Sequence, residues 1–391
     1  MGVNDSPLTR RTVIKSLGAG AGIAGLAGCS GGSGGDSGGS GDSGSSDGSS
    51  DSSGSDSGGG EKATVRVAGT GGSWGESRAE GFYDPFRNGE LAWDDKHNLE
   101  FSGIAAEQYV SELQRDPENP AYDAIELDGQ RAALLGENDA VSSQAEELDN
   151  FDNIPEAFRN EYMCGTVYFP RGIAYREDKT DKEFNTWDDL IDPELEGRVG
   201  FEPWNNAGSK YFYVINAAKG GDLDNLEPGL EWLREFVETT DPIIFDSIDQ
   251  ALQLWTNDEM DVAPFLSARA ENLEIDEGLE IGFSVPEGGA PQDFWGYPLT
   301  KHNGEDRHEQ ARIFADGCLE PQPQAMFAEV MGYPPANPDA VEHISDEALE
   351  NHPMIQPSEE QMERYNVDVD WVQAAKQSNE DGEKFRKIIA G

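Results

Sequence analysis

The sequence predicts an α/β fold, and three observations support this. Short apolar or β-branched runs alternate with amphipathic segments across residues 61–391, which is the pattern of α/β proteins. Most of these runs end in glycine or small polar residues just before a helical pattern begins. The roughly 330 residues of this region are too many for one simple core and suit two lobes.

The first strand-to-helix junction follows a predicted strand at residues 64–69. Ser73-Trp74-Gly75-Glu76 then matches a capping box, in which a serine side chain caps a helix. Apolar residues follow at helical spacing, namely Ala79, Phe82, Tyr83 and Phe86. The chain is therefore predicted to leave a strand, turn on glycines and enter a helix.

Four more junctions of this kind are predicted. The strands lie near residues 124–127, 198–201, 243–245 and 261–265, and Ser247 to Gln250 matches a second capping box. Ligands of open α/β sheets bind outside the carboxyl ends of strands, where loops and helix amino termini meet. We therefore expect a binding site at these five junctions.

Two motifs invite an enzyme interpretation. Gly71-Gly72-Ser73-Trp74-Gly75 fits the G-x-S-x-G nucleophile elbow of hydrolases. That fold needs earlier strands and an oxyanion loop, whereas only about ten domain residues precede the motif. Gly69-Thr70-Gly71 fails as a dinucleotide fingerprint because Trp74 occupies its sixth position. Ser73 is better explained as a helix cap and a ligand-contacting hydroxyl, and a serine hydrolase is kept as the alternative.

The amino-terminal residues 1–29 predict export and lipidation. Arg10-Arg11 precedes an apolar stretch at residues 17–28, and Leu26-Ala27-Gly28-Cys29 closes it. This order is typical of a twin-arginine signal that ends in a lipobox. The stretch is shorter than the roughly 20 residues of a membrane-spanning helix. We expect Cys29 to be lipidated and to provide the only membrane attachment, at the extracellular face of the cell membrane.

Residues 30–60 contain only Gly, Ser and five Asp. Such a segment has no apolar side chains to bury and cannot offset the entropy of ordering its backbone. It is predicted to be a disordered tether between the anchor and the folded region.

The charge of the chain predicts a salty environment. There are 77 acidic and 28 basic residues, for a net charge of −49. Molar salt shortens the Debye length to about 3 Å and screens the resulting repulsion, so the surface is that of a halophile. The same charge argues against a nucleic-acid partner, whose phosphates would be repelled.

Cysteine and histidine residues indicate no metal or cofactor site. Beyond Cys29 the chain has Cys164 and Cys318, which either form a disulfide or remain buried thiols. The five histidines form no metal-ligand spacing. No cofactor is predicted.

Several segments together resemble extracellular solute-binding proteins of ABC importers, with the spermidine/putrescine-binding type as the most similar branch. The resemblance covers nearly all of residues 61–391, and the order of the motifs is more specific than any one of them. The segments are the opening strand with Gly69-Thr70-Gly71-Gly72-Ser73-Trp74-Gly75, Thr186-Trp187-Asp188-Asp189-Leu190 with Pro193 and Gly197-Arg198-Val199, Phe294-Trp295, and Gly332-Tyr333-Pro334-Pro335-Ala336-Asn337-Pro338.

The resemblance implies a two-lobed periplasmic-binding-protein fold of type II. Each lobe would be a mixed sheet flanked by helices, with the ligand in a cleft at the hinge. Lobe 1 would comprise residues 61–168 and 297–337, and lobe 2 residues 169–296 and 338–391. Chain crossovers would fall near residues 166–174, 295–300 and 334–337. A monomer that closes on its solute would then be recognised by permease and ATPase subunits.

Cleft candidates follow from position at the junctions and crossovers. Trp74 is the leading candidate, because a large ring directly behind glycines has little else to pack against. Phe265 and Trp295 are equally compatible with a core, and Asp128, Glu202 and Asp246 with the acidic surface. The full set is Ser73, Trp74, Asp128, Gln130, Glu202, Trp204, Asp246, Ser247, Phe265, Trp295, Tyr297 and Tyr333.

The nature of the solute stays open. Aromatic walls with a few acids suit a cationic or polyhydroxylated ligand, since a cation over a ring gains roughly 0.5 to 2 kcal/mol, and a polyamine-like cation is favoured. Polyamine binders, however, place an acid two residues beyond the position that Trp295 resembles, where this chain has Tyr297. Thiamine-like and sugar-like ligands remain, as does ferric ion if Tyr211 and Tyr213 act together. A surface adhesin is a further alternative, although no repeats are seen.

Overall fold

The structure is a computed structural model that describes residues 63–88, 97–302 and 304–390. The predicted signal at residues 1–29, the lipidation site Cys29 and the tether at residues 30–60 lie outside the described residues. Within them the α/β prediction is confirmed, because helices flank parallel and antiparallel sheets.

The strands and helices are numbered in chain order. The strands are β1 (Ala63–Gly69), β2 (His97–Gly103), β3 (Ala124–Ile125), β4 (Leu127–Asp128), β5 (Arg159–Asn160), β6 (Met163–Arg176), β7 (Gly200–Phe201), β8 (Ile243–Ile244), β9 (Val262–Leu266), β10 (Ile281–Ser284) and β11 (Gln292–Gly296). The α-helices are α1 (Gly72–Arg78), α2 (Asp84–Arg87), α3 (Ala106–Arg115), α4 (Gly129–Glu137), α5 (Ser209–Ala218), α6 (Glu227–Thr240), α7 (Ile248–Thr256), α8 (Ser267–Glu277), α9 (Glu305–Gly317), α10 (Pro321–Met331), α11 (Asp346–Asn351), α12 (Glu359–Arg364) and α13 (Trp371–Ile389).

A three-stranded parallel sheet contains the first junction. Its order is β2-β1-β3, and Val67 of β1 pairs with Phe101 on one side and Ala124 on the other. Val65 and Val67 are fully buried because their β-branched side chains lie on the same side of the strand. This sheet places the carboxyl ends of β1 and β3 next to each other.

The helix after β1 begins earlier than predicted. Gly71 is its N-cap and makes no side-chain capping bond, so the capping box expected at Ser73 and Glu76 is wrong. Gly72 has φ +68°, a left-handed conformation that glycine adopts without steric cost. The turn into the helix is therefore completed on Gly72, and Ser73 already belongs to α1. A five-residue π-helical segment, Ala79–Tyr83, then joins α1 to α2.

The other predicted junctions are confirmed with shifted strand ends. The second predicted strand is split into β3 and β4, and β7, β8 and β9 take the place of the next three. Ser247 caps α7 by accepting a bond from Gln250 N. The Gln250 side chain accepts from Asp246 N rather than from Ser247 N, so only half of the second capping box forms.

The largest sheet is built around the long strand β6. The first half of β6 pairs antiparallel with β5 and β11, and the second half pairs with β9 and β10. In this register Phe169 lies opposite Asp293, and Arg171 lies opposite Leu266. Strand β11 also pairs with β4, with Trp295 opposite Asp128. The sheet thereby contains the strands of two predicted junctions, β4 and β9.

Strand β6 joins two large hydrophobic clusters of the described residues, which pack as one unit. Val167 and Tyr168 belong to the first cluster, and Ile173 belongs to the second. Cys164 and Cys318 are buried free thiols in the first cluster. The proposed lobe boundaries, at residues 168, 296 and 337, stay predictions.

No helix in the described ranges is long and apolar enough to span a membrane. The same ranges contain no group of three or more His, Cys, Asp or Glu residues that could hold a metal ion.

Candidate functional site

Trp74 lies at the centre of a group of five aromatic residues, called here the first aromatic cluster. Its ring centroid is 5.6 Å from Phe169, 6.0 Å from Trp295, 5.8 Å from Phe327 and 6.1 Å from Tyr333. These residues come from α1, β6, β11, α10 and the turn after α10. Trp74 and Trp295 remain partly exposed, whereas the other three are buried.

A buried carboxylate fixes the orientation of Trp74. Glu126 accepts a hydrogen bond from Trp74 Nε1 and another from Thr70 N, both at 3.2 Å. Arg78 Nε lies 2.6 Å from the same carboxylate, and both side chains are fully buried. The Arg78 guanidinium also lies 4.2 Å from the Phe327 ring centroid. The ion pair and the ring contact therefore hold one side of the cluster in place.

A second carboxylate lies beside Trp295. Asp128 caps α4 by accepting a bond from Arg131 N at 3.0 Å, and its carboxylate also pairs with the Arg131 side chain. Burial works against ionisation, but Arg131 and Lys210 outweigh it and lower the pKa of Asp128. The Arg131 guanidinium lies 5.8 Å from the Trp295 ring centroid. Gln130 follows in the first turn of α4 and is partly buried.

Four charged residues form a further cluster next to β6 and β11, called here the ionic group: Arg171, Glu202, Lys210 and Asp293. Arg171 Nη1 lies 3.0 Å from Glu202, and its Nε lies 3.7 Å from Asp293. Lys210 Nζ donates to Asp293. Burial alone would lower the pKa of Arg171, but Tyr211, Glu202 and Asp293 raise it. The ionic group is thus internally balanced, with two positive and two negative charges.

A cavity of about 730 Å³ adjoins the ionic group. It shares Asp293 with that group and is also lined by Gln130, Gln292, Phe294, Tyr365 and Trp371. This volume is within the range of ligand pockets, roughly 300 to 1,000 Å³.

Comparison with known families assigns the chain. Residues 95–357, more than half of the chain, match the family described as bacterial extracellular solute-binding protein. The chain belongs to this family. Its members are extracellular solute-binding proteins and not enzymes. Comparison with curated protein sequences gives no significant match.

Solved structures share the fold of this solute-binding protein. An ABC transporter protein from Clostridium perfringens is 16% identical with a TM-score of 0.69, over 83% of this chain and 99% of that one. A spermidine/putrescine substrate-binding protein from Streptococcus pneumoniae is 16% identical with a TM-score of 0.66, over 84% and 99%. A binding protein from A. tumefaciens R10, in complex with agropinic acid, is 18% identical with a TM-score of 0.61, over 84% and 99%. At these identities the similarity shows the fold alone, which confirms the predicted periplasmic-binding-protein fold.

The structure brings together six of the predicted site residues of this solute-binding protein. The packing of Trp74 differs from the expectation that its ring has little to contact, since four rings surround it. The six residues that lie at the first aromatic cluster, at Asp128 beside it or in the ionic group are Trp74, Asp128, Gln130, Glu202, Trp295 and Tyr333.

Three predicted site residues lie in cores instead. Trp204 is 3% exposed and packs on Phe385. Phe265 is fully buried against Trp255. Tyr297 is 2% exposed, and its hydroxyl lies 2.7 Å from that of Tyr83. Apolar packing accounts for the burial of these rings.

The remaining predicted residues are at the surface or are not described. Asp246 and Ser247 are exposed at the start of α7, and Ser247 acts as its cap. The side chain of Ser73 lies outside the described part, so its contact with a ligand stays a prediction.

Sequence reasoning missed several residues of the site. Arg171 and Phe169 are in the middle of a predicted crossover, where the alternation of side chains along β6 puts them on one face. Asp293 precedes Trp295 by two residues, so β11 presents both on one face. An acid therefore lies two residues before Trp295 rather than two residues after it, and Lys210 already pairs with it. Lys210 carried no signal in the sequence.

Proposed function

We propose that this solute-binding protein captures a small solute at the first aromatic cluster and delivers it to the permease and ATPase of an ABC importer. One observation carries the proposal. Trp74 and Trp295 stay partly exposed although they lie in a cluster of rings contributed by four helices and strands and by the segment after α10. Apolar rings with nearby fixed polar groups are typical of solute sites.

The delivery step is proposed to use closure of two lobes around the solute. Strands β6 and β11 would form the hinge, because they pair with each other and β6 contributes to both hydrophobic clusters. Solute binding would shift the population toward the closed form, which the importer subunits recognise. The protein acts as a monomer in this proposal.

The charge pairing around the cluster bears on the choice of solute. Among the similar structures, one is a spermidine/putrescine substrate-binding protein and another is a binding protein in complex with agropinic acid. The sequence favours a polyamine-like cation, but a polyamine needs acids that are free to pair with its ammonium groups. Here Glu202 and Asp293 already pair with Arg171 and Lys210. This arrangement favours a solute that is not a polyamine.

The ferric alternative has little support from the two tyrosines that suggested it. The Tyr211 hydroxyl lies 3.2 Å from Arg171, whereas the Tyr213 hydroxyl donates to Asp381 at 2.9 Å. The two hydroxyls therefore have different partners. Thiamine-like and sugar-like solutes remain compatible with the rings.

The proposal includes export by the twin-arginine route and anchoring through Cys29 on the extracellular face of the membrane, in a high-salt environment. The support is the order of Arg10-Arg11, the apolar stretch and Cys29, together with the charge of −49. When it is expressed in its host, the Cys29→Ser variant should be absent from the membrane fraction and present in the medium. A variant that stays with the membrane would contradict the anchor.

Trp74→Ala tests the site. The substitution should weaken the best solute by more than about tenfold, or about 1.4 kcal/mol, because it removes the central ring of the cluster. Calorimetry in molar KCl would measure the affinity, after a thermal-shift screen has identified the solute from polyamines, betaine, thiamine, sugars, carboxylates and ferric ion.

Trp371→Ala is the matched control. Trp371 is also partly exposed, but it lines the adjoining cavity and not the cluster, so its loss should change the affinity by less than about twofold. The reverse result, with Trp371 essential and Trp74 dispensable, would move the site to the cavity.

A further inference from the structure

Four buried acids at or near the first aromatic cluster are paired with arginine or lysine residues of the chain. Breaking a buried ion pair costs free energy because one charge is left without its partner. A carboxylate that also binds a second cation interacts less strongly with its first partner. A cationic solute would therefore compete with existing ion pairs. The pairs are Glu126 with Arg78, Asp128 with Arg131, Glu202 with Arg171, and Asp293 with Lys210.

One positive charge at the cluster has no such partner among the described residues. Arg269, in the first turn of α8, places its guanidinium 6.0 Å from the ring centroid of Tyr333. Tyr333 in turn contacts Trp74 and Phe169. Arg269 is partly buried, and no described carboxylate forms an ion pair with it. The chain has 77 acidic residues, so a partly buried arginine without an acidic partner is unexpected unless a ligand supplies the negative charge.

The start of α8 offers further donors. Ser267 is fully buried, and its hydroxyl has no hydrogen-bond partner among the described residues. The helix has no side-chain cap at Leu266 and no acidic residue in its first turn. The first N–H groups of a helix have no intrahelical acceptors and favour a negative charge. Ser267 and these amides thus lack the acceptor that an anion would provide.

A second arginine lies on the neighbouring strand. Arg171 is opposite Leu266 in the pairing of β6 with β9, so it is directly beside the start of α8. Its Nε makes no hydrogen bond among the described residues and is 3.7 Å from Asp293. The charge of Arg171 is balanced within the ionic group, but its Nε–H is a further buried donor without an acceptor among the described residues on this side of the cluster.

We propose that the solute carries a carboxylate group, which Arg269 binds. This inference rests on the proposed function and adds the charge of the solute. The carboxylate pairs with the Arg269 guanidinium, whose planar fork matches it, and accepts a hydrogen bond from the Ser267 hydroxyl. The remainder of the solute lies against the rings of Tyr333, Trp74 and Trp295. No covalent step is involved.

A panel of solutes with matched carbon skeletons tests the charge. For each skeleton, calorimetry and thermal shift in molar KCl compare the dicarboxylate, the amino carboxylate, the diamine and the diol; the four-carbon members are succinate, 4-aminobutanoate, putrescine and 1,4-butanediol. Longer, branched and aromatic skeletons follow the same scheme. We expect the tightest solute to carry a carboxylate and the matched diamine to bind at least about tenfold more weakly.

Arg269→Gln then tests the residue. It should weaken the tightest solute by at least about tenfold, as expected for loss of a charge-assisted pair, while Arg269→Lys restores part of the affinity. The unliganded variant should melt at the same temperature as the parent or slightly higher, because no internal ion pair of the described residues is lost. Arg234→Gln is the control, since it makes the same change in charge at an arginine that pairs with Glu227 away from the cluster.

The outcomes separate the two proposals. A tightest solute without an anionic group overturns the inference, and so does an affinity that Arg269→Gln leaves within about threefold of the parent. If no solute of any class binds, the proposed function itself is contradicted. A carboxylate that binds the parent and the Arg234→Gln variant alike, but not Arg269→Gln, supports both.

Discussion

Two groups of aromatic residues with similar ring geometry have different surroundings in this protein. The first aromatic cluster centres on Trp74, with neighbouring rings 5.6 to 6.1 Å away. The second aromatic cluster, which consists of Trp204, Phe212, Tyr213 and Phe385, has rings 5.3 to 5.6 Å from Trp204. Both tryptophans follow a strand, and both are among the predicted site residues, with Trp74 as the leading candidate. Ring spacing and position at a junction are therefore not enough to distinguish a site from a core.

Exposure and charge do distinguish the two clusters. Trp74 is partly exposed, whereas Trp204 is 3% exposed. The polar groups of the second cluster have hydrogen-bond partners in the protein, since Trp204 Nε1 donates to Ser378 at 2.9 Å and the Tyr213 hydroxyl donates to Asp381 at 2.9 Å. At the first cluster the Arg269 guanidinium has no described acidic partner. A cluster whose polar groups all have hydrogen-bond partners within the protein is a core. A cluster that contains an unpaired charge can bind a ligand of the opposite charge.

The largest loss of stability is expected from a substitution in the second aromatic cluster. Trp204→Ala should lower the free energy of unfolding by about 3 to 5 kcal/mol, because it leaves a cavity among buried rings. Denaturant unfolding in molar KCl measures this loss. The affinity of the folded variant for the solute should stay within about twofold of the parent. A tenfold loss of affinity at unchanged stability would mean that Trp204 faces the solute after all.

A smaller loss of stability is expected from a substitution in the core next to the first aromatic cluster. Tyr297→Phe removes the hydrogen bond with Tyr83 and should cost about 0.5 to 1.5 kcal/mol of stability. Burial raises the pKa of both tyrosines, so the two hydroxyls stay protonated and the bond is neutral. Solute affinity measured by calorimetry should not change. Tyr83→Phe is the matched variant. A lower solute affinity in either variant would show that Tyr297 belongs to the binding site.

The elements of the fold were largely predictable from the sequence. Alternation along β1 and the turn residues behind each strand are local signals, so all five strand-to-helix junctions were found. The Ser247 cap was predictable because a cap depends on residues three apart. The Ser73 cap was not, because Gly72 can adopt positive φ and begins the helix sooner.

The candidate site was predictable only in part. Trp74 and Trp295 were found by position, but Arg171, Lys210 and Arg269 were not. In a chain with 77 acidic residues, the sequence cannot tell which carboxylates are buried or which base each one contacts. Asp293 and Lys210, for example, are 83 residues apart in the sequence and meet only in the folded chain.

The sequence by itself determined the α/β class, the five junctions, the excess of negative charge and the predicted signal and tether at the amino terminus, because these follow from local spacing and composition. Only the tertiary structure decided that Trp74 stays partly exposed while Trp204 and Phe265 are buried, and that Glu126, Asp128, Glu202 and Asp293 each have a basic partner. Exposure and ion pairing depend on contacts between segments distant along the chain. The net charge at a site is set by those contacts, and composition does not reveal it.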